Sequence, residues 1–346
     1  MEHRHHILPK VSIVIPTKNR CSLLWETVKS IRNQTYSNWE AIIVDDDSTD
    51  ETVEQMSALS KEDPRLKVLP RSSNRPGAPV CRNEGLAVSI GDYVIFLDSD
   101  DCLAPLCLEN RVRAMQDYPC LDFGVFPCQL FRSKPGDMAL LWNAETQDND
   151  LDRFLHLHDV PWQTTSPIWR RQALDRLGPW DESLLRWQDW EFHFRALIKG
   201  LRYKRFAEPD CFWRMHSPER KAIGSKWTAE QVRCIEQLLS KVYLMLSHRQ
   251  MFNERRRYLL ASLYFWIANR WVSIGERKEA ARAWTICWGK KLIEKIEYWE
   301  GLFYFQMWFS PLTGLIAKLY LKIRWSKKLL PTKSITFKNT PLPQKS

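Results

Sequence analysis

What most constrains the fold of this chain is a set of short, nearly continuous apolar runs spaced by amphipathic segments. They are VSIVIP at 11–16, WEAIIVDDDS at 39–48, RLKVL at 65–69 and YVIFLDSDD at 93–101. Runs rich in Val and Ile with no polar alternation fit parallel strands covered on both faces. Between them, SLLWETVKSIRNQ repeats Leu24, Val28 and Ile31 at helical spacing, and STDETVEQMSALS opens on a Ser/Thr/Asp cap followed by Glu. APVCRNEGLAVSIG at 78–91 supplies a third helix. The order βαβαβαβ predicts an α/β fold with a Rossmann-like sheet.

Ligands of such sheets bind beyond the carboxyl ends of the strands, and three polar strand ends converge there: Pro16-Thr17, Asp45 to Asp47, and Asp98 to Asp101. The last run carries Asp98, Asp100 and Asp101 within four positions. Like charges this close raise one another's pKa, so a cationic partner is expected beside them. There is no GxGxxG after the first strand and no GxxxxGK[ST] anywhere, which argues against dinucleotide and P-loop chemistry. A carboxylate cluster in place of a glycine loop implies that phosphates are reached through a hard divalent cation, Mg2+ or Mn2+.

The segments VSIVIPTKNR, AIIVDDDSTD, GAPVCRNEGL, GDYVIFLDSDD and GPWDESLLRWQDWEFHFRALIKG occur in the order seen in family 2 glycosyltransferases, and the resemblance covers roughly residues 10–218. It implies a GT-A fold, a mixed sheet flanked by helices. It also implies transfer of a sugar from a nucleotide diphosphate donor to an acceptor hydroxyl, with inversion at the anomeric carbon. Carried over residue by residue, Pro16, Thr17 and Asn19 resemble the loop under the nucleobase. Asp46 resembles the carboxylate that accepts from a uracil ring NH, so a UDP-sugar is the expected donor. Many members have glycine where this chain has Asp47, and Asp adopts positive φ less freely than Gly.

Arg82 and Asn83 resemble the helix pair facing the nucleotide, with Arg82 offsetting phosphate charge. By the same resemblance Asp98 meets the ribose and metal edge, Asp100 is the direct metal ligand, and His216 completes the metal site. Asp101 is either a further supporting carboxylate or a helix cap. Arg220, Lys221 and Ser225 line a loop closing over the diphosphate. In LRWQDWEFHFRAL, Asp189 takes the place of the family's general base, and Gln188 stands where a Glu is usual. Glu191 is either an acceptor contact or an ion-pair partner of Arg195 four positions on.

Net charge divides the chain. Residues 225–346 hold 22 Lys and Arg against 8 Asp and Glu, a surplus of 14, which leaves 29 against 33 for residues 1–224. The shift predicts a mildly acidic catalytic domain over 1–224, a basic helical region over 225–330, and a polar, proline-spaced disordered tail over 331–346. Within the second region, 255–293 reads as two helices turning at Gly275, either a helical cap on the catalytic domain or one tetratricopeptide-like unit. GLFYFQMWFSPLTGLIAKLYL at 301–321 is almost uncharged and precedes the basic KIRWSKK. It reads as a span, as an interfacial anchor on an anionic membrane surface, or as internal packing.

From nine cysteines without a CxxC pair and a start lacking an apolar h-region, a cytoplasmic location is expected, with peripheral attachment to the cytoplasmic membrane face as a further expectation. The acceptor is expected to be a saccharide or a lipid-linked saccharide. A non-catalytic nucleotide-sugar or nucleic-acid binding module is the alternative, but no RNP, OB or zinc-finger pattern supports nucleic acid.

Overall fold

The computed structural model describes residues 8–142, 149–157, 159–215, 227–307 and 340–341. The alternation read from the apolar runs is present: β1 (Val11–Thr17), α1 (Cys21–Arg32), β2 (Trp39–Asp45), α2 (Thr52–Glu62), β3 (Leu66–Pro70), α3 (Ala78–Val88) and β4 (Tyr93–Phe96). Every residue of β1, β2 and β4 is buried, as strands covered on both faces require. Two polar residues at the strand starts are satisfied internally. Ser12 Oγ donates to Glu40 Oε1 at 2.7 Å, and Lys67 Nζ reaches Glu40 Oε2 at 2.8 Å.

The chain continues through β5 (Cys102–Leu103), α4 (Cys107–Asp117), β6 (Phe123–Val125), β7 (Cys128–Phe131), β8 (Leu140–Leu141) and α5 (Asp150–Leu155). It then forms β9 (Pro167–Arg170), α6 (Arg171–Leu177), α7 (Gln188–Ile198), β10 (Tyr203–Arg205) and β11 (Cys211–Arg214). The main sheet has the order β10-β6-β9-β4-β1-β2-β3. It is parallel except at β9, which runs antiparallel to both neighbours. A smaller sheet contains β8, β7, β11 and β5, and its far edge is β12 (Thr340–Pro341). All nine cysteines are free thiols.

Helix α3, which carries Arg82, lies close on β1 and β2 because Gly85 faces them. A Cβ there would sit 2.5 Å from Val14 Cγ1 and 3.2 Å from Val44 Cγ2. Both contacts are stiff β-branched side chains in buried strands, so neither yields easily. Gly85→Ala is expected to cost about 1–3 kcal/mol through overpacking. Thermal denaturation checks this, and an unchanged midpoint would contradict the close approach.

The remaining helices are α8 (Ala229–His248), α9 (Glu254–Ser273), α10 (Arg277–Gly289) and α11 (Lys295–Met307). Thr228 opens α8 with a capping box completed by Gln231, and Asn253 caps α9 by accepting from Arg256 N. The α9–α10 turn contains Gly275 at φ 90°, a left-handed backbone that glycine adopts without strain. These helices share one apolar core with α5 and α7: Val232, Ile235, Leu239 and Trp271 belong to the same cluster as Phe154, Trp190 and Phe194. Arg256 Nε meets Asp152 at 2.6 Å and Lys241 Nζ meets Asp181 at 2.7 Å, tying α9 and α8 to the α/β part. The change from α/β to all-α structure thus accompanies the change in charge. The boundary at 224 itself lies outside the described residues, as does the tail except for 340–341.

Candidate active site

Parallel register brings the carboxyl ends of β1, β2 and β4 side by side, with Thr17 opposite Asp45. Asn19 ties the first two strand-end loops together: its backbone NH donates to Ser48 Oγ at 2.8 Å, and its Oδ1 accepts from Thr49 N at 2.7 Å. Asp46 NH donates to Thr17 O at 2.8 Å. Pro16 and Thr17 are both buried beneath this junction.

Asp46 sits in a basic setting. Arg71 Nε reaches its Oδ1 at 2.6 Å, Gly77 NH donates to it at 3.1 Å, and Lys18 Nζ lies 3.8 Å away. Asp47, in the place of the family's usual glycine, adopts φ 58° and pairs with the same Arg71. The left-handed turn therefore forms with Asp, whose short side chain makes a local ion pair there.

The three carboxylates after β4 have three different surroundings. Asp98 pairs through Oδ1 with Arg82 Nη2 at 2.7 Å and remains 33% exposed. Asp100 pairs with Arg20 Nη1 at 2.8 Å. Asp101 is fully buried, accepting from Thr165 Oγ1 at 2.9 Å and from Arg214 NH at 3.1 Å. Burial, followed by the charges of Asp100 and Asp98, pushes its carboxyl well above the usual range. Asp101 thus holds the turn from within. Arg214 completes that support: its Nε donates to Asp100 O at 2.9 Å and its Nη2 meets Glu26 at 2.6 Å.

Arg82 is the hinge of the site. It is buried, its guanidinium lies 4.5 Å from the centre of the Trp180 ring, and its Nε and Nη1 make no hydrogen bond. Thr17 Oγ1 and Asp45 Oδ1 at the neighbouring strand ends are also buried without a partner. Buried polar atoms are almost always satisfied, so orphans gathered at three neighbouring elements mark a place shaped for a polar ligand. Asn83, one residue on, is committed to structure: its Oδ1 accepts from Trp180 NH at 2.8 Å, and its Nδ2 donates to Trp180 O at 3.0 Å and to Glu182 at 2.8 Å.

Helix α7 completes the group. Its N-cap is Trp187 at φ 59°, an uncommon backbone for a bulky residue that persists only where the surroundings enforce it. Those surroundings are Trp266, stacked on Trp187 at 5.2 Å, and Trp190 at 5.5 Å. Asp189 lies in the first turn, half-buried. Burial first, and then the Asp98 charge, raise its carboxyl above the ordinary value, while Arg82 acts in the opposite direction. Gln188 Nε2 donates to Leu184 O at 3.0 Å. Glu191 is buried and paired with Arg195 Nε at 2.6 Å. His193 stacks on Trp169 inside the core, and burial lowers its pKa to about 3, so it stays neutral.

Asp98 and Asp100 offer the oxygen donors that suit Mg2+ or Mn2+, which typically take one or two carboxylates and complete their shells with phosphate oxygens and water. Each is paired with an arginine, and among the described residues no group of three or more His, Cys, Asp or Glu side chains is gathered to hold a metal. His216, Arg220, Lys221 and Ser225 lie outside the described residues. Sequence reasoning overlooked Arg20, Arg71 and Arg214. Arg71 carried a usable signal, since it directly follows β3 at the ligand-binding end of the sheet.

Comparison with known proteins agrees with this geometry. The "Glycosyl transferase family 2" model matches residues 12–170, and "Glycosyl transferase family group 2" matches 93–327, more than half of the chain. A Campylobacter jejuni GalNAc(5)-diNAcBac-PP-undecaprenol beta-1,3-glucosyltransferase is 39% identical over 117 residues, covering 34% of this chain and 38% of that protein. An uncharacterized Haemophilus influenzae glycosyltransferase is 26% identical over 256 residues, covering 72% and 83%. An uncharacterized glycosyltransferase of Rickettsia conorii is 37% identical over 108 residues, and the chain spans only 17% of it. Among solved structures, S. aureus TarS 1-349 in complex with UDP-GlcNAc superimposes with a TM-score of 0.61 at 17% identity, covering 86% of this chain and 91% of that one, a likeness of fold. With its strand-end carboxylates, its mixed sheet and a family model spanning both the α/β part and the helices, this chain belongs to the family 2 glycosyltransferases.

Proposed function

We propose that the protein transfers a hexosyl group from a nucleoside diphosphate sugar, with uridine as the expected base, to an acceptor hydroxyl with inversion. The observation that carries this reading is Asp189, half-buried, with the field of the Arg82–Asp98 pair acting on its carboxyl. Asp189 takes the hydroxyl proton while the acceptor oxygen bonds to the anomeric carbon and the bond from that carbon to the diphosphate breaks. A Mg2+ or Mn2+ ion held by Asp98 and Asp100 would neutralise charge on the departing nucleoside diphosphate. Arg82 offers its two unpartnered nitrogens to the same leaving group. Thr17, Asn19 and Asp46 shape the base pocket, with Arg71 fixing the Asp46 carboxylate. A lipid-linked saccharide acceptor is supported by the Campylobacter relative, whose name specifies an undecaprenyl diphosphate carrier.

A panel of nucleotide sugars assayed for nucleoside diphosphate release tests the reading. Release from one uridine sugar, stimulated by an acceptor and by Mn2+, is the expected result. No release from any donor, together with salt-sensitive binding to RNA or DNA, would favour a binding module instead.

The same proposal includes attachment to an anionic membrane face. No helix among the described residues is long and apolar enough to cross a membrane, and residues 308–328 of the anchor segment lie outside them. The described part supports an interfacial contact: Ile296, Trp299 and Phe303 on one face of α11 are 56%, 59% and 59% exposed. Spacings of three and four residues align these side chains, and the region is strongly basic. Sedimentation with anionic liposomes at low salt, partial release at high salt, and loss in Trp299→Glu/Phe303→Glu are expected. Protein remaining in the supernatant at low salt would remove this part of the proposal.

A further inference from the structure

Asp189 is delivered to the site by a stretch without regular structure: residues 178–187 join α6 to α7 with no helix or strand. Side chains of the helical region hold that stretch. Lys241 Nζ in α8 meets Asp181 Oδ2 at 2.7 Å. Cys234, also in α8, clasps the next residues: its Sγ donates to Ser183 O at 3.5 Å and accepts from Leu185 NH at 3.5 Å. Trp266 in α9 then stacks on Trp187, with ring centres 5.2 Å apart and planes inclined by 24°. Contacts from α8 and α9 thus recur at every second residue from 181 to 187, and the last of them bears on the residue that opens α7.

Trp187 is where such support matters most. Its φ of 59° and ψ of 30° are left-handed, a strained backbone for a bulky residue that relaxes unless the side chain is held. Its carbonyl accepts the first bond of the helix, from Glu191 NH at 2.9 Å, so its torsions set the direction in which α7 starts. Asp189, two residues on, moves with that direction. Two rings lie against Trp187: Trp190 at 5.5 Å and Trp266 at 5.2 Å. Trp190 belongs to α7 and turns with it. Among the described residues, Trp266 is the ring that meets Trp187 from outside α7. It is seated by Trp227, edge-on at 5.2 Å, and by Arg270, whose guanidinium lies 4.8 Å from its centre.

We propose that Trp266 is a positioning residue for the transfer reaction: stacked on Trp187, it holds the left-handed turn that aims the Asp189 carboxylate at the acceptor hydroxyl. The helical region is then part of the catalytic unit. The inference rests on the reading of Asp189 as the base and deepens it by assigning what sets that base in place. Trp266 acts through Trp187, so losing its ring changes where the carboxylate lies and leaves donor binding as it was.

A double-mutant cycle in the full chain tests this. Trp266→Leu keeps apolar bulk but loses the flat ring, and Trp266→Phe keeps a ring that can stack. Trp266→Leu should lower kcat about tenfold or more, since a catalytic group misplaced by about 1 Å can cost 10²-fold. Trp266→Phe should recover most of that loss, and the Kd for UDP should stay within about twofold in both, as expected of an interaction made only in the transition state. In the Asp189→Asn background, Trp266→Leu should slow transfer by less than about twofold, because no carboxylate remains to be aimed and the two effects are not additive. An equal loss in both backgrounds would reduce Trp266 to general support and overturn the positioning role. Hydrogen exchange reads the turn without any chemistry: the Glu191 amide should exchange about tenfold faster in Trp266→Leu, while amides later in α7 keep their rates. Unchanged exchange at Glu191 would overturn the hold on the turn. Full rate in Asp189→Asn alone removes the base reading. A slow Asp189→Asn beside a fast Trp266→Leu removes only the positioning role, so the two failures are distinguishable.

Discussion

Asp100→Ala is expected to abolish divalent-dependent transfer and to weaken nucleoside diphosphate binding in Mn2+ by about 10²-fold or more, since even outer partners of metal ligands are worth 10–100-fold. The fold should survive. Asp100→Ala gives up the ion pair with Arg20 and relieves like-charge repulsion on buried Asp101. Such pairs contribute about 0–1 kcal/mol, so the melting midpoint should move by no more than about 4 °C. Calorimetric titration of UDP with and without Mn2+ gives the binding readout independently of turnover. Full activity of the variant, or wild-type activity in excess EDTA, would contradict the metal assignment.

The contrast between Asp100 and Asp101 also shows how far the sequence carries. Strand positions were legible because burial on both faces of a parallel sheet leaves an unbroken apolar run, as in β1 and β2. The clustering of carboxylates at the strand end was legible for the same reason: polarity resumes where the core stops. Their division of labour was not. Three aspartates in four positions look alike until Thr165 and Arg214, contributed from 64 and 113 residues away, enclose one of them. Arg20 and Arg214 were overlooked because an ion pair between distant segments leaves no periodic trace, whereas Arg71 was open to reading from its place directly after β3. The Glu191–Arg195 contact, at helical spacing, was open to inspection because both partners lie on one helix face. Trp187 was hidden differently: nothing in its residue type signals a left-handed backbone, which the ring stacking from α9 helps to hold.

Asp189→Asn is expected to keep donor affinity within a few-fold and to lower the transfer rate by about 10²-fold or more, the usual scale for loss of a general base. The pH profile sharpens the test. A general base works when ionised, and the native carboxyl of Asp189 is raised, first by burial and then by the Asp98 charge. The acidic limb of the wild-type rate should therefore lie above the ordinary aspartate value of about 3.9, and the residual rate of Asp189→Asn should lack that limb. Stability should move in the opposite direction. A carboxyl whose folded pKa is raised contributes stability below its unfolded pKa, and that contribution is lost as pH rises through the folded value. At neutral pH the ionised Asp189 is thus a burden on the fold, and the neutral amide should melt at the same temperature or higher. A base maintained against stability is what a working site is expected to show. If Asp189→Asn instead loses nucleotide binding while retaining turnover at saturation, Asp189 belongs to the donor site, and the base must be sought elsewhere around α7.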